Sequence, residues 1–201
     1  MPAILVNNYQ LNLTNLDKIL WPEPGISKGD LINYYIEIYP YLKNFLKDRP
    51  LALKIYPDGI NGKSFFQKNL PVHAPEWLSS FQIYSSQRKE PINWLMVNKL
   101  ADLIWVANSA SLELHAWFST INNLKKPSFA VFDLDPGELS SFSEVIQVAF
   151  LIKEILDELG LKGFPKTSGQ AGLHIYLPFK EKYNFQEVKD FLRAVASTIV
   201  K

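Results

Sequence analysis

Cysteine is absent from the 201 residues. Disulfides, thiolate zinc sites and cysteine nucleophiles are therefore excluded, and the chain fits a reducing cytoplasm. An excess of one charge is also lacking: 21 Lys and Arg against 20 Asp and Glu leave a formal net charge of +1. That excludes a global basic field, so any nucleic-acid contact has to come from a local patch. No apolar stretch approaches the roughly 20 residues that span a bilayer. The start, Met1 to Gln10, has no charged residue followed by a long apolar run. Internal repeats and low-complexity tracts are missing too, and the chain reads as soluble and intracellular. Hydrophobic residues at 47% and charged residues at 20% are ordinary globular proportions. The length suits one domain, or one and a half, with a proper core.

Proline and glycine punctuate the first half. Trp21-Pro-Glu-Pro-Gly25 is a stop, after which Ser27 can N-cap a helix. Leu31, Ile32, Tyr35, Ile38, Tyr39 and Leu42 keep helical spacing over 28–45, with Pro40 expected to kink or end the helix. Leu51 to Tyr56 is a short apolar run before the turn Pro57-Asp-Gly59, and Ser64 to Lys68 reads as another short strand. Phe81 to Tyr84 and Ile92 to Val97 read as two strands around a polar loop. Ala101 to Leu114 reads as a helix ending near His115. In the second half Phe129 to Asp135 is a strand, and Ser141-Phe-Ser-Glu144 is a capping box for an amphipathic helix that Gly160 stops. Gly163 to Thr167 and Leu173 to Phe179 are strands around the turn Ser168–Gly172. Asn184 with Glu187 opens a last helix from Phe185 to about Val200. Strand, helix, hairpin, helix is most of a split βαβ unit, which normally has one more strand.

Asp133 and Asp135 alternate onto one strand face with Phe129 and Val131, just before Pro136-Gly137. Two carboxylates at a strand end suit a hard divalent cation. A pair of such ions suits phosphoryl transfer. Asp-x-Asp alone also fits a turn cap beside a solvated carboxylate, or a sugar-nucleotide transferase. Lys166-Thr-Ser-Gly-Gln-Ala-Gly-Leu-His174 brackets a glycine turn whose backbone N–H groups suit an anion, with Ser168 before it and His174 after it. An ordinary polar hairpin is the plainer reading. Phe65 and Phe66 point to opposite strand faces, so at most one is core and the other is free to stack on a base near Lys68. Asn15, Lys18 and Lys28 flank the Pro/Gly stop as a loose set. Lys54, between Leu53 and Ile55, needs either a snorkelling route or an anionic partner. His115 reads as a helix C-cap and His73 as a loop residue.

Six segments, taken together and in order, resemble the polymerase domain of bacterial DNA ligase D, of the archaeo-eukaryotic primase superfamily. They are Leu13-Thr-Asn-Leu-Asp-Lys-Ile-Leu-Trp-Pro22, Tyr56-Pro-Asp-Gly59, Phe65-Phe-Gln-Lys68, Leu112-Glu-Leu-His115, Val131-Phe-Asp-Leu-Asp-Pro-Gly137 and Thr167-Ser-Gly-Gln-Ala-Gly-Leu-His174. The resemblance implies a mixed α+β, primase-polymerase-like fold. An N-terminal DNA-end-binding α/β module, 1–128, would pack on a partial catalytic split-βαβ (RRM-like) module, 129–201. It implies non-homologous end joining, by gap-filling and primer extension with a preference for ribonucleotides, using (d)NTPs and a two-metal Mn²⁺ or Mg²⁺ site. Asp133 and Asp135 would then be catalytic metal ligands, and Ser168, His174, Lys54 and His115 nucleotide contacts. Asn15, Lys18 and Lys28 would hold a downstream 5′-phosphate, and Phe65 and Phe66 would stack on template bases. Arg88 and Lys89 would lie in the loop that arranges two DNA ends. The implied partners are double-stranded DNA ends with a 5′-phosphate, a ligase domain or ligase protein, and a Ku-type end-binding protein. The implied location is cytoplasmic and nucleoid-associated, with no membrane.

The family also uses a third catalytic carboxylate on a strand well after the Ser-x-His hairpin, and the given sequence ends at Lys201 before such a strand. The expectation is therefore a fragment of a longer polypeptide or a shortened relative, with its own activity left open. Two readings follow: a template-guided nucleotidyltransferase, or a non-catalytic module that grips a 5′-phosphorylated DNA end.

Overall fold

Asn7 and Asn8 both sit in the left-handed region, at φ 50° and 65°. Asparagine tolerates that conformation, and two such residues in a row make the favoured hairpin turn. They join β1 (Ala3–Val6) to β2 (Tyr9–Asn12), with Val6 opposite Tyr9. In this computed structural model residues 2–169 and 171–199 are described. The chain divides into two units, 1–122 and 123–201. The division falls six residues earlier than the expected 128/129 boundary. Ser128 already belongs to the second unit, where its carbonyl accepts from Phe179 N at 3.0 Å.

In the first unit a short pair, β3 (Ile19–Trp21) and β4 (Ile26–Ser27), leads into helix α1 (Lys28–Leu46). Ser27 is its N-cap. The Ser27 hydroxyl accepts from Asp30 N at 3.2 Å, and the Asp30 carboxylate accepts from Ser27 N at 2.8 Å. That reciprocal pairing satisfies two otherwise orphaned donors. The helix does not end at Pro40. The bond that proline forfeits is to the carbonyl of Ile36, which lies on the exposed side where water replaces it, while Ile38, Tyr39 and Leu42 keep packing on the core.

Strand β5 (Leu51–Ile55) buries Leu51, Leu53 and Ile55 and turns Ala52 and Lys54 to the other face. One of its edges pairs with β9 (Ser111–Ala116). The other pairs with β6 (Phe65–Gln67) and, at Leu51, with β8 (Glu90–Leu95), which itself pairs with β7 (Ser80–Ser85). Helix α2 (Leu100–Asn108) buries Leu103, Ile104 and Val106 completely in the same core as Leu31, Ile32 and Tyr35 of α1.

The helix expected over 101–114 is thus α2 followed by strand β9, and His115 is a strand residue rather than a helix cap. Ala110 stands at φ 55°, which terminates the helix, and its carbonyl accepts from Tyr56 N at 2.9 Å. From there Leu112 and Leu114 pack on the core while Glu113 and His115 alternate to the face of Lys54. The period has changed from helical to two.

In the second unit β10 (Phe129–Leu134) and β11 (Phe164–Thr167) both pair antiparallel with β12 (Leu173–Pro178), so the order is β10-β12-β11. Helices α3 (Phe142–Glu158) and α4 (Phe185–Ile199) enclose a small core of Phe132, Ile152, Leu156, Ile175, Leu177 and Val195. The Glu144 carboxylate accepts from Ser141 N at 2.7 Å to open α3. Gly160, at φ 67°, closes it: Gly160 N reaches Asp157 O at 3.0 Å and Leu161 N reaches Leu156 O at 2.8 Å. Asn184 and Glu187 open α4 reciprocally, at 2.7 and 3.0 Å. The expected end of α4 near Val200, and Gln170 within the Ser168–Gly172 turn, lie outside the described residues. Among the described residues no helix is long and apolar enough to cross a membrane.

Asp102, in the first turn of α2, is wholly buried. It accepts from Asn98 N at 2.9 Å, Lys99 N at 3.1 Å and the Ser79 hydroxyl at 2.8 Å, and pairs with Lys99 Nζ at 2.7 Å. Removing one partner of a buried network strands the others. Asp102→Ala is expected to cost about 3 kcal/mol or more in urea denaturation, and Asp102→Asn less.

Candidate functional site

The two expected aspartates lie where β10 runs out. Asp133 is on the strand, directly opposite His174 of β12, and Asp135 follows the strand end. Both are exposed. Antiparallel register puts Asp133 and His174 on one face, and His174 Nε2 comes to 3.1 Å of Asp133 Oδ1. On the opposite face, the neighbouring pair Phe132 and Ile175 fills the core. Tyr176 continues the polar face, its ring 5.6 Å from Phe129 and 6.3 Å from His174. Burial, and then the charge of Asp133, hold its hydroxyl pKa above the ordinary phenol value. Lys166 faces His174 from β11.

Ser168 and Gly172 close the turn beyond this face. Ser168 N donates to Gly172 O at 3.0 Å, and Gly172 N donates to the Ser168 hydroxyl at 3.0 Å. A side chain at Gly172 would run into the Asp135 carboxylate and stand 2.6 Å from the Leu134 carbonyl. Glycine is required here because the turn lies directly against Asp135. Among the described residues no three His, Asp or Glu side chains come together as a metal cage.

In the first unit, the outer face of β5 carries a second group. Lys54 stands opposite Phe66 on one side and Glu113 on the other. Its ammonium pairs with Glu113 Oε1 at 2.7 Å, so the anionic partner that its sequence position calls for is Glu113. The Tyr56 hydroxyl donates to the same oxygen, and His115 Nε2 lies 3.1 Å from Glu113 Oε2. The Phe66 and His115 rings are 5.3 Å apart. Partial burial alone pushes the Glu113 carboxyl pKa up, but the hydrogen bonds from Lys54 and Tyr56 and the Lys54 charge outweigh it, leaving the group below the ordinary value. Lys54 is held above its own ordinary value by Glu113 and then Tyr56. Glu113 and Tyr56 lie in two of the segments that carry the family resemblance, but the sequence assigns neither a role. The alternation Leu112-Glu-Leu-His115 was the available signal, masked by the helix before it.

Phe65 and Phe66 are both exposed, at 51% and 58%, so neither ring is core. At the N-terminus, Asn15 has a left-handed backbone at φ 49° and its carbonyl accepts from Lys18 N at 3.1 Å. Lys28 N donates in turn to Lys18 O at 2.8 Å, which draws all three expected residues into one bend. Lys18 Nζ reaches Asp58 Oδ1 at 2.8 Å. Lys28 is 4% exposed, and its ammonium donates to the Thr14 hydroxyl and the Asn108 carbonyl, each at 3.0 Å. Burial, and then the nearby Lys18 cation, lower its pKa. Arg88 and Lys89 occupy the turn between β7 and β8, with Lys89 at φ 57° and Arg88 3.8 Å from Glu90. His73 is an exposed loop residue.

The family model described as "LigD, primase-polymerase domain" matches residues 27–201. The chain belongs to that family. It is 35% identical over 188 residues to the bifunctional non-homologous end joining protein LigD of Bacillus subtilis, covering 93% of this chain and 30% of that protein. It is 32% identical over 192 residues to the multifunctional non-homologous end joining protein LigD of Mycolicibacterium smegmatis, covering 94% of this chain and 25% of that protein. The chain thus spans less than a third of these relatives' lengths. Among solved structures, the polymerase domain from Mycobacterium tuberculosis ligase D, in complex with DNA, superposes with a TM-score of 0.86 at 31% identity, covering 94% of this chain and 68% of that chain. The mixed α+β fold of the family is therefore the fold of this chain.

Gly172→Ala is expected to displace Asp135 and the end of β10, lowering stability by about 1–3 kcal/mol in denaturant unfolding. Gly169→Ala is the contrast, since no atom stands within 4 Å of a side chain there and only its φ of 99° opposes the change.

Proposed function

We propose that this chain is a nucleotidyltransferase acting at DNA ends, the polymerase part of a double-strand-break repair system of the end-joining type. It fills gaps and extends primers, with a preference for ribonucleotides. The observation that carries the reading is the pairing of Asp133 with His174 beside the Ser168–Gly172 turn, within a chain of the LigD primase-polymerase family. A relative captured with DNA supports a DNA end as the substrate.

Two exposed carboxylates fit Mn²⁺ or Mg²⁺ in their chemistry. They are hard oxygen donors, and Mg²⁺ is commonly held by one or two carboxylates with water and substrate phosphates making up the rest. Asp133 and Asp135 are the residues that hold it. When bound, such an ion supplies charge stabilisation for phosphoryl transfer from the incoming (d)NTP.

The chain's own side chains do the rest. His174 holds Asp133 through Nε2, and with Ser168 it contacts the phosphates of the incoming nucleotide. In the first unit, Lys54 and His115 are nucleotide contacts by the same family resemblance. Phe65 and Phe66 offer exposed rings for template bases. Asn15, Lys18 and Lys28, drawn into one bend by the Lys18 N–Asn15 O and Lys28 N–Lys18 O bonds, take the downstream 5′-phosphate. The working partners are 5′-phosphorylated double-stranded ends, a ligase domain or ligase protein, and a Ku-type end-binding protein, on cytoplasmic, nucleoid-associated DNA.

Primer extension on a gapped, 5′-phosphorylated duplex with Mn²⁺ tests the chemistry. Asp133→Ala and Asp135→Ala are each expected to lose roughly 100-fold or more while retaining the circular dichroism spectrum. Normal extension by both variants overturns the assignment. If the unaltered chain binds the gap but adds no nucleotide, the non-catalytic end-binding reading takes its place. The 5′-phosphate is expected to tighten gapped-duplex binding by roughly ten-fold, and Lys18→Ala to erase that preference. Equal affinity with and without phosphate removes Asn15, Lys18 and Lys28 from the site.

A further inference from the structure

Glu113 has none of the roles assigned so far, yet it touches two residues that do. Its Oε1 takes the Lys54 ammonium at 2.7 Å, and its Oε2 faces His115 Nε2 at 3.1 Å. A half-buried ion pair of this kind adds little to stability, which gives no reason to engage both oxygens. Their arrangement does supply one. An ammonium has three N–H donors, and Glu113 takes one of them at 2.7 Å, leaving capacity for further acceptors. The Lys54 ammonium is also held over the Tyr56 and Phe66 rings, at 5.3 and 5.8 Å. In neutral His115, a carboxylate at Nε2 fixes the proton there and leaves Nδ1 as the accepting nitrogen.

We propose that Glu113 is a positioning residue, aiming the Lys54 ammonium at the phosphates of an incoming nucleotide and fixing the His115 proton on Nε2, so that Nδ1 accepts from a donor group of that nucleotide. The proposal rests on the reading of Lys54 and His115 as nucleotide contacts. It acts through those two side chains and requires no contact between Glu113 and the nucleotide. Glutamine at 113 keeps one acceptor oxygen for Lys54 and Tyr56, but it presents an NH₂ donor to His115. His115 Nε2 then has to accept, so its proton moves to Nδ1.

The test uses the 201-residue chain with ATP and Mg²⁺ as the probe, and ¹⁵N NMR of the His115 ring. Glu113→Ala is expected to weaken ATP binding roughly ten-fold, about as much as Lys54→Ala. The double variant is expected to lose less than the product of the two single losses, because Glu113 acts partly through Lys54 and coupled residues are not additive. The neutral His115 ring is expected as the Nε2–H form in the unaltered chain and as the Nδ1–H form in Glu113→Gln. Additive losses overturn the proposal. So does tighter ATP binding in Glu113→Gln, the result expected of a carboxylate that only neutralises Lys54. An unchanged tautomer overturns it as well. If Lys54→Ala binds ATP normally, the nucleotide reading of this face fails instead, and the tautomer alone decides whether Glu113 orients His115.

Discussion

A lysine on a strand whose neighbours are buried has to put its charge somewhere. Leu53 and Ile55 carry β5 into the core, and alternation sends Lys54 to the opposite face. The partner it finds there, Glu113, stands directly across on β9, so the β5–β9 register decides the ion pair. The same register places His115, Tyr56 and Phe66 around one carboxylate. The half-buried pair contributes little to stability. The strand pairing is held by Leu51, Leu53 and Leu114 below it, and the polar face is organised above a core that would exist without it.

The second unit repeats that logic on a smaller scale. Phe132 and Ile175 face each other into the core, so Asp133 and His174 must face each other outward. A slip of one residue would exchange the two pairs and bury the carboxylate. The turn from Ser168 to Gly172 then sets how closely backbone approaches Asp135, and only a residue without a side chain fits. Burial and chemistry are thus two faces of one register, and a change in either face reaches the other.

Much of this was legible in the chain. Period-two alternation and the Pro136-Gly137 stop located β10, and the Ser27, Ser141 and Asn184 caps marked the N-termini of three helices. The misreadings share a cause. Propensity is local, and it gave way to neighbours distant in sequence. Pro40 sits inside α1 because its lost bond faces water and the far side of the helix is packed. The segment after Asn108 is apolar enough to continue a helix, yet β5 needs a partner on its open edge and Ala110 accepts the left-handed turn that supplies one. The hairpin at Asn7 and Asn8 is absent from the sequence reading, because two strands of four residues carry a weak signal.

The amino-acid order by itself determined the fold class, the strand bearing Asp133 and Asp135, the glycine turn before His174 and the family resemblance that the comparisons bear out. Those features are encoded within a few residues of each other, in alternation, caps and turn chemistry. Tertiary structure decided which distant side chains meet. That Lys54 is answered by Glu113, that Lys28 is buried against Thr14 and Asn108, and that Asp102 closes a network with Ser79 depend on strand register and helix packing across tens of residues. No local pattern specifies such partners, because they are fixed only when the apolar faces have found one another.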